Sequence, residues 1–289
     1  MGSLLSFFYL SIGRSSLAVT RYRVSVPRLP PAFEGFTILH LTDLHSKSYG
    51  PRQSQLLELL SPLTFQMTAI TGDSIVGGEC NISPLLDLLR GVNHRPVYLV
   101  NGNHEWANDS CAEVERHVSA SGGVVLNNRA VRLQRGNEHI WVVGVDDPIT
   151  GHARLERAVR GTDGAPRILL AHAPTIAPEA SEAGIDLVLA GHTHGGQVRL
   201  PLAGAVYVSR LGYFPHWSHG FYRVGGTGMV VNAGLGETSA PVRFNMDPEV
   251  VLVTLVLTGG DAPDSDRVAD VMKPLKRKVK RFLQRNQEG

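Results

Sequence analysis

The chain has 289 residues, of which 43% are hydrophobic and 19% are charged, and its net charge is +2. This composition is typical of a globular protein rather than a disordered one, and two cysteines are too few for a disulfide framework. Residues 271–289 carry +6, which leaves residues 1–270 at −4. Nucleic acid is therefore not expected as a partner, because phosphate neutralisation needs a basic face.

The first 35 residues are predicted to form an N-terminal extension that contains a short apolar segment at residues 4–12. This segment is too short to span a bilayer, which takes about 20 residues. It also lacks the basic region that begins a secretory signal. Two interpretations remain open: the segment packs on the domain as a strand or helix, or it makes a shallow membrane contact.

Residues 36–258 are predicted to form one α/β domain, because strand-like and helix-like patterns alternate along them. Apolar, β-branched runs predict buried strands at residues 36–41, 67–70, 96–100, 167–171 and 185–190. Helical periodicity predicts helices at residues 53–60, 83–90, 110–120 and 153–160. Beyond residue 197 glycine and aromatic residues become frequent, and further strands are predicted at residues 230–231 and 250–257.

Each of the five buried strands is followed by side chains of the types that bind divalent metals. These residues are Asp43, His45, Asp73, Asn103, His172, His192 and His194. Taken singly, each has an ordinary explanation as a helix cap, a turn residue or a core histidine. In open α/β sheets, however, sites form beyond the carboxyl ends of strands. The sequence therefore predicts that the seven side chains converge on one metal centre.

Carboxylate, amide and imidazole groups together point to phosphate-ester hydrolysis. Two metal ions about 3.5–4 Å apart neutralise phosphoryl charge and lower the pKa of a bound water toward about 7, so a metal-activated hydroxide is expected as the nucleophile. These ligand types suit manganese, iron or zinc. His104 follows Asn103 and is predicted to protonate the leaving group, since an imidazole with its usual pKa of about 6.5 suits that role. Glu105 is expected to orient or tune His104.

In order and in spacing, these motifs resemble those of the calcineurin-like metallophosphoesterase superfamily. The motifs are Asp43-x-His45, Gly72-Asp73, Gly102-Asn103-His104-Glu105, His172 and Gly191-His192-x-His194. The resemblance implies a four-layer α/β/β/α sandwich with two mixed sheets. It also implies two divalent metal ions and assigns their ligands. Asp43, His45, Asp73 and His194 would hold one metal, Asp73 would bridge to a second that Asn103, His172 and His192 complete, and His104 would be the catalytic acid.

A finer resemblance lies in the GHTHGGQ stretch at residues 191–197, in Gly220-Phe221-Tyr222 and in residues 232–249. These segments are similar to a bacterial membrane-associated phosphodiesterase branch that includes enzymes like UDP-diacylglucosamine diphosphatase. The branch implies a phosphodiester or diphosphate substrate with a lipid or nucleotide portion. Val76 departs from the pattern, because many relatives have a second acid at this position. The alternatives are a non-catalytic metal-binding scaffold of the same fold and a nuclease-type phosphodiesterase.

Residues 259–289 are predicted to form a linker and a basic amphipathic helix. Apolar residues recur at helical spacing among the lysines and arginines, and they are Val271, Met272, Leu275, Val279, Phe282 and Leu283. Such a helix is typical of a membrane-surface element, although a terminal helix that covers the domain would show the same pattern. Together, the two ends predict a cytoplasmic protein that lies peripherally at the inner face of the cell membrane.

Overall fold

Two six-stranded mixed sheets form the framework of the protein. The computed structural model describes residues 17–76, 81–92, 96–107, 110–200, 204–237 and 243–257. The apolar segment at residues 4–12 and the predicted basic helix after residue 259 lie outside these residues.

The elements follow one another in an alternating order that becomes strand-rich after residue 198. The strands are β1 (Ala18–Ser25), β2 (Thr37–Leu41), β3 (Met67–Thr71), β4 (Val97–Val100), β5 (Val124–Val125), β6 (Arg129–Arg135), β7 (Glu138–Gly144), β8 (Arg167–Leu170), β9 (Leu187–Ala190), β10 (Arg199–Leu200), β11 (Gly204–Ala205), β12 (Tyr207–Val208), β13 (Gly212–Tyr213), β14 (Gly220–Val224), β15 (Thr227–Val231) and β16 (Glu249–Val256). The helices are α1 (Ser54–Leu60), α2 (Ser83–Val92), α3 (Asn103–Ala107), α4 (Cys111–Ala120), α5 (Leu155–Ala158) and α6 (Ala177–Glu182). Single 3-10 turns occur at Pro31–Phe33, Pro51–Gln53, Pro174–Ile176 and His194–Gly196.

The first sheet has the strand order β1-β16-β2-β3-β4-β5. β1 is parallel to β16, β16 is antiparallel to β2, and β2 to β5 are parallel to one another. Residues 18–25 were expected in the N-terminal extension, yet they form the edge strand of this sheet. Ala18 pairs with Glu249 and Ser25 pairs with Val256, so the strand has full backbone pairing on one side.

The second sheet has the order β14-β15-β9-β8-β7-β6. β7, β8, β9 and β15 are parallel, and antiparallel strands close both edges. β6 and β7 were not predicted. β6 has the sequence RAVRLQR and is largely exposed, so it lacks the continuous apolar run that marked the buried strands.

The core lies between the two sheets and on their outer faces. Ile38, Met67 and Val100 of the first sheet belong to the same buried cluster as Ile168 and Leu189 of the second. A second cluster joins the outer face of the first sheet to α1, α2 and α4, and a third joins the outer face of the second sheet to α5 and α6. The predicted four-layer α/β/β/α architecture is confirmed.

The helix predictions were correct in place and less accurate in length. α2 continues to Val92, two residues beyond the predicted end, while the helix predicted at residues 153–160 is the single turn Leu155–Ala158. α3 was not predicted, because its five residues are too few for a periodic pattern. This helix begins at Asn103, and its position determines where one of the predicted ligands lies.

Candidate metal centre

The predicted ligands come together at the carboxyl ends of β2, β3, β4, β8 and β9. Three overlapping groups of side chains each have ligand atoms within 4.8 Å of one another. The groups are Asp43, His45 and His194; His45, Asp73 and His104; and Asp73, His172 and His192. Asn103 adjoins them, because its Oδ1 lies 3.3 Å from Nε2 of His172. All seven predicted ligand residues and His104 therefore occupy one site.

One half of the site is built by Asp43, His45 and His194, all of which are buried. Asp43 Oδ1 lies 3.4 Å from His194 Nε2 and 3.8 Å from His45 Nε2, and the two histidine nitrogens are 3.2 Å apart. Burial alone would raise the pKa of Asp43, but the neighbouring histidines hold that pKa well below its ordinary value. The carboxylate is thus ionised and faces two imidazole nitrogens.

Asp73 lies between this half of the site and the half that contains His172 and His192. Its Oδ2 is 3.6 Å from His45 Nε2 and 3.2 Å from His172 Nε2. His172 Nε2 is in turn 3.1 Å from His192 Nδ1. Burial would raise the pKa of Asp73, yet His172 and His45 lower it. One carboxylate oxygen therefore contacts nitrogens from both halves of the site.

The chemistry of these donors fits divalent cations. His172 Nδ1 lies 2.8 Å from the Thr71 carbonyl oxygen, so the ring donates there and presents Nε2 to the site. Nε2 faces an Asp73 oxygen and a His192 nitrogen. Among the described residues, Asp43 Oδ1 has no hydrogen-bond donor although it is buried. Buried acceptors that face one another need a positive charge between them, and a cation supplies it.

Electrostatics across the site also favour positive charge. Burial lowers the pKa of His172, but Asp73 and then Asp43 outweigh that effect and raise the pKa to about 10. His192 and His194 behave differently, because burial lowers their pKa values to about 4 and about 3. These two rings are therefore neutral near pH 7 and present lone pairs, as metal ligation requires.

Hydrogen bonds fix the orientation of Asp43. Its Oδ2 accepts from Thr42 Oγ1 at 2.8 Å and from the backbone N–H of His192 at 2.9 Å. Thr42 Oγ1 also lies 3.1 Å from the Thr71 carbonyl oxygen. Because Oδ2 is occupied, Oδ1 is the oxygen that faces the imidazoles.

The backbone at the site is unusual. Five of the seven predicted ligand residues have positive φ angles, and they are Asp43 (51°), His45 (47°), Asp73 (51°), His192 (69°) and His194 (48°). Left-handed conformations cost energy in residues other than glycine and concentrate at functional sites. The loops are thus held in shapes that aim side chains inward.

Close packing explains why glycine precedes the ligands. A methyl group on Gly191 would overlap Thr42 Oγ1 and lie 2.5 Å from Asp43 Oδ2. One on Gly72 would lie 2.7 Å from the backbone nitrogen of Gly102 and 2.8 Å from His172 Nδ1. Only glycine allows the loops of the two sheets to approach this closely.

Glu105 has a role different from the predicted one. Its buried carboxylate accepts hydrogen bonds from the backbone N–H groups of Asp73 at 3.0 Å, Ser74 at 2.7 Å and Gly102 at 2.8 Å. Burial and then the charge of Asp73 raise the pKa of Glu105 to about 7. Glu105 therefore supports the two loops that carry Asp73 and Asn103, rather than tuning the His104 ring.

His104 lies at the open side of the site. Its Nε2 is 3.9 Å from Asp73 Oδ2, and its ring packs edge-on against His45 with 4.6 Å between ring centroids. The side chain is 25% exposed, whereas the aspartate and histidine residues assigned as ligands are buried. Burial lowers its pKa, so the protonated ring is a stronger acid than an ordinary histidine.

A group of residues that borders the site was not predicted from the sequence. Trp106 of α3 donates from Nε1 to Asp146 Oδ1 at 2.8 Å, and its ring stacks on His152 with 3.5 Å between centroids. Asp146 and Asp147 follow β7 just as the predicted ligands follow their strands. The apolar run Ile140 to Val143 indicates a buried strand, and assigning that strand would have pointed to the two aspartates that follow it.

Comparison with known proteins agrees with this geometry. A family model of calcineurin-like phosphoesterases matches residues 36–196. The chain belongs to the calcineurin-like phosphoesterase family. The predicted superfamily is thereby confirmed, and the protein is a metal-dependent phosphoesterase.

Relatives of this phosphoesterase occur in bacteria and in animals. It is 29% identical to the uncharacterized metallophosphoesterase YkuE of Bacillus subtilis (strain 168), across 84% of this chain and 86% of that protein. Identity to the phosphodiesterase YaeI of Escherichia coli (strain K12) is 27%, across 76% of this chain and 83% of that protein. Identity to the transmembrane protein with metallophosphoesterase domain of Bos taurus is 31%, across 82% of this chain and 57% of that protein.

One structural finding bears on the predicted membrane association. In the part of the phosphoesterase that the structure describes, no helix combines the length and apolar character needed to cross a bilayer. The membrane-associated branch and the cytoplasmic, peripheral location stay predictions.

Proposed function

We propose that this phosphoesterase uses two divalent metal ions to hydrolyse a phosphodiester or diphosphate bond. The observation that carries the proposal is the position of Asp73, whose Oδ2 lies 3.6 Å from His45 Nε2 and 3.2 Å from His172 Nε2. A carboxylate oxygen between two sets of imidazoles suits a bridge between two cations.

The ligand assignment follows the two halves of the site. Asp43, His45, Asp73 and His194 would hold one ion. Asp73, Asn103, His172 and His192 would hold the other. Manganese, iron and zinc suit this set of oxygen and nitrogen donors. When bound, the ions neutralise phosphoryl charge and make hydroxide available near neutral pH.

His104 would donate a proton to the leaving oxygen as its bond to phosphorus breaks. The ring is partly exposed and lies beside Asp73, so it faces the space a phosphoryl group would enter. Its lowered pKa favours proton donation to an alkoxide. Asp73 has a second role here, because its Oδ1 accepts the backbone N–H of His104 at 2.9 Å and fixes the start of α3.

The proposed substrate has a lipid or nucleotide portion, and the proposed location is the inner face of the cell membrane. The similarity to a protein named phosphodiesterase supports a diester substrate. The +6 charge of residues 271–289 and the similarity to a protein named as transmembrane support a membrane setting. The −4 charge of residues 1–270 disfavours the nuclease alternative.

The test is hydrolysis of bis(p-nitrophenyl) phosphate by the Mn²⁺-loaded protein. Asp73→Asn should abolish activity, while Asp163→Asn, the same change at a 58% exposed carboxylate, should not. A panel of UDP-diacylglucosamine, glycerophosphodiesters, cyclic nucleotides, oligonucleotides and monoesters would then define the substrate class. Absence of hydrolysis across the panel would refute the proposal.

Metal analysis separates the enzyme from the scaffold alternative. For an enzyme, His104→Ala should retain metal and lose activity, because His104 is assigned to proton transfer rather than to metal binding. A scaffold would bind metal in both forms and would have no rate to lose.

A further inference from the structure

Exposed apolar side chains concentrate next to the metal centre. Among the described residues, the exposed large hydrophobic side chains are Val198, Leu200, Tyr207, Tyr213 and Leu257. The first four lie within residues 198–213, one residue beyond the turn His194–Gly196. We refer to these four residues as the hairpin surface. Apolar side chains clustered in this way mark an interaction site more often than scattered ones do.

Two short hairpins present this surface. β10 pairs with β11, and β12 pairs with β13, in both cases antiparallel. Tyr207 and Tyr213 are direct cross-strand partners with 5.1 Å between ring centroids, and they are 50% and 42% exposed. Val208, the next residue of β12 after Tyr207, is buried. The second hairpin thus buries one face and directs both tyrosine rings outward.

The hairpins are fixed to the metal-binding loop. A methyl group on Gly196 would overlap Ala205 of β11, so the two backbones are in close contact. Arg199 Nη1 donates to the Gly195 carbonyl oxygen at 2.9 Å, and Thr193 Oγ1 donates to the Ser218 carbonyl oxygen at 2.6 Å. Whatever contacts the hairpin surface is therefore held in a defined position relative to His192 and His194.

The segment that presents the surface is basic in sequence. Residues 187–236 contain no aspartate or glutamate, and their charged residues are Arg199, Arg210 and Arg223. Arg210 is exposed in the turn that joins β12 to β13. Tyrosine rings and arginine side chains are the groups that anchor proteins at the bilayer interface. Anionic headgroups would add electrostatic attraction to the burial of the apolar side chains.

We propose that the hairpin surface docks the phosphoesterase on an anionic lipid bilayer, with Tyr207 and Tyr213 in the interface and Arg210 beside the headgroups. Docking of this kind brings the metal centre to the headgroup layer, where a lipid phosphate would be cleaved; this purpose rests on the proposed function. A second copy is a poorer occupant, because a symmetric contact would bring together two copies of a segment that contains arginines and no acidic residue.

The basic tail could bind the same vesicles, so the experiment must report which surface enters the bilayer. Two full-length variants, Tyr213→Trp and Leu257→Trp, place a new indole at an exposed position on and off the hairpin surface. Both are mixed with phosphatidylcholine–phosphatidylglycerol vesicles that contain brominated lipid. The wild type supplies the background from Trp106, Trp141 and Trp217.

The expected result is extra quenching for Tyr213→Trp and none for Leu257→Trp. Tyr207→Ser/Tyr213→Ser should weaken vesicle binding by roughly tenfold, as the loss of two buried rings implies. The control Leu257→Ser should not weaken it. Equal quenching of the two tryptophan variants would overturn the proposal. It would also be overturned if the wild type formed a dimer and Tyr207→Ser/Tyr213→Ser abolished that dimer.

Hydrolysis of the soluble diester is measured in parallel. If vesicles quench the Tyr213→Trp indole but no ester is cleaved, docking stands and the proposed function fails. If the ester is cleaved but quenching is absent, the function stands and docking fails.

Discussion

The carboxylate of Glu105 accepts the backbone N–H of Asp73 at 3.0 Å, and it accepts the N–H groups of Ser74 and Gly102 as well. One buried side chain on α3 therefore links the loop after β3 to the loop after β4. Asp73 and Asn103 follow from those loops, and both lie close to His172 Nε2. The geometry of the metal centre depends on a residue that cannot itself reach a metal, because its oxygens are engaged elsewhere.

Glu105→Gln should weaken metal binding while leaving the fold intact. The amide has one acceptor oxygen in place of two, and its NH₂ group would face backbone N–H donors. Changes in the residues that orient ligands cost about 10–100-fold in metal affinity or activity. Mn²⁺ titration calorimetry and kcat for the aryl diester would measure the effect.

The control for Glu105→Gln is Glu115→Gln, on the exposed side of α4. Equal metal affinity in the two variants would contradict the support role of Glu105.

Gly191→Ala should disrupt the site through steric overlap alone. The added methyl would meet Thr42 and Asp43, both of which are buried and hydrogen-bonded. Overpacking of this kind costs about 1–3 kcal/mol or more, so the midpoint of thermal unfolding should fall. Metal affinity should fall with it, because Asp43 must move.

Gly164→Ala makes the same chemical change where no atom lies within 4 Å. It should leave both the unfolding midpoint and metal affinity unchanged. If Gly191→Ala behaved like Gly164→Ala, the close approach of the two loops would not be essential.

Sequence patterns were sufficient to predict that the candidate ligand residues converge, but not to predict their surroundings. Their convergence was predictable because parallel strands bring their carboxyl ends to one edge, and each buried strand has a clear apolar run. β1 was missed because its partner β16 is more than 200 residues away, and such pairing leaves no local signal. The predicted role of Glu105 was wrong because its three hydrogen-bond partners are backbone N–H groups, and a pattern of side chains does not show such contacts.

His40 should make stability depend on pH. It is fully buried in β2 with Nε2 2.8 Å from Thr71 Oγ1, and burial lowers its pKa to about 4. In the unfolded chain the pKa returns to about 6.5, so between these values the unfolded state binds one more proton. The free energy of unfolding should therefore fall as pH drops from about 6.5 to about 4, by up to about 1.4 kcal/mol per pH unit.

Urea unfolding of the Mn²⁺-saturated protein across this range would measure the slope. His40→Gln should reduce it by about one proton. An unchanged slope in His40→Gln would show that other groups account for the pH dependence.

Trp106→Phe should reduce turnover without removing metal. α3 has only five residues, so its position depends on tertiary contacts rather than on its own hydrogen bonds. Trp106 supplies two such contacts, stacking on His152 and donating to Asp146. Phenylalanine keeps a ring but has no donor, so the neighbouring His104 should be held less firmly, and kcat for the aryl diester should fall by roughly tenfold.

Trp141→Phe is the matched control, because it removes the indole N–H that donates to Asp163 at 2.9 Å on the exposed side of β7. Trp141 lies away from α3, so this control should retain full kcat. An equal loss of kcat in both variants would mean that Trp106 acts through general stability rather than through His104.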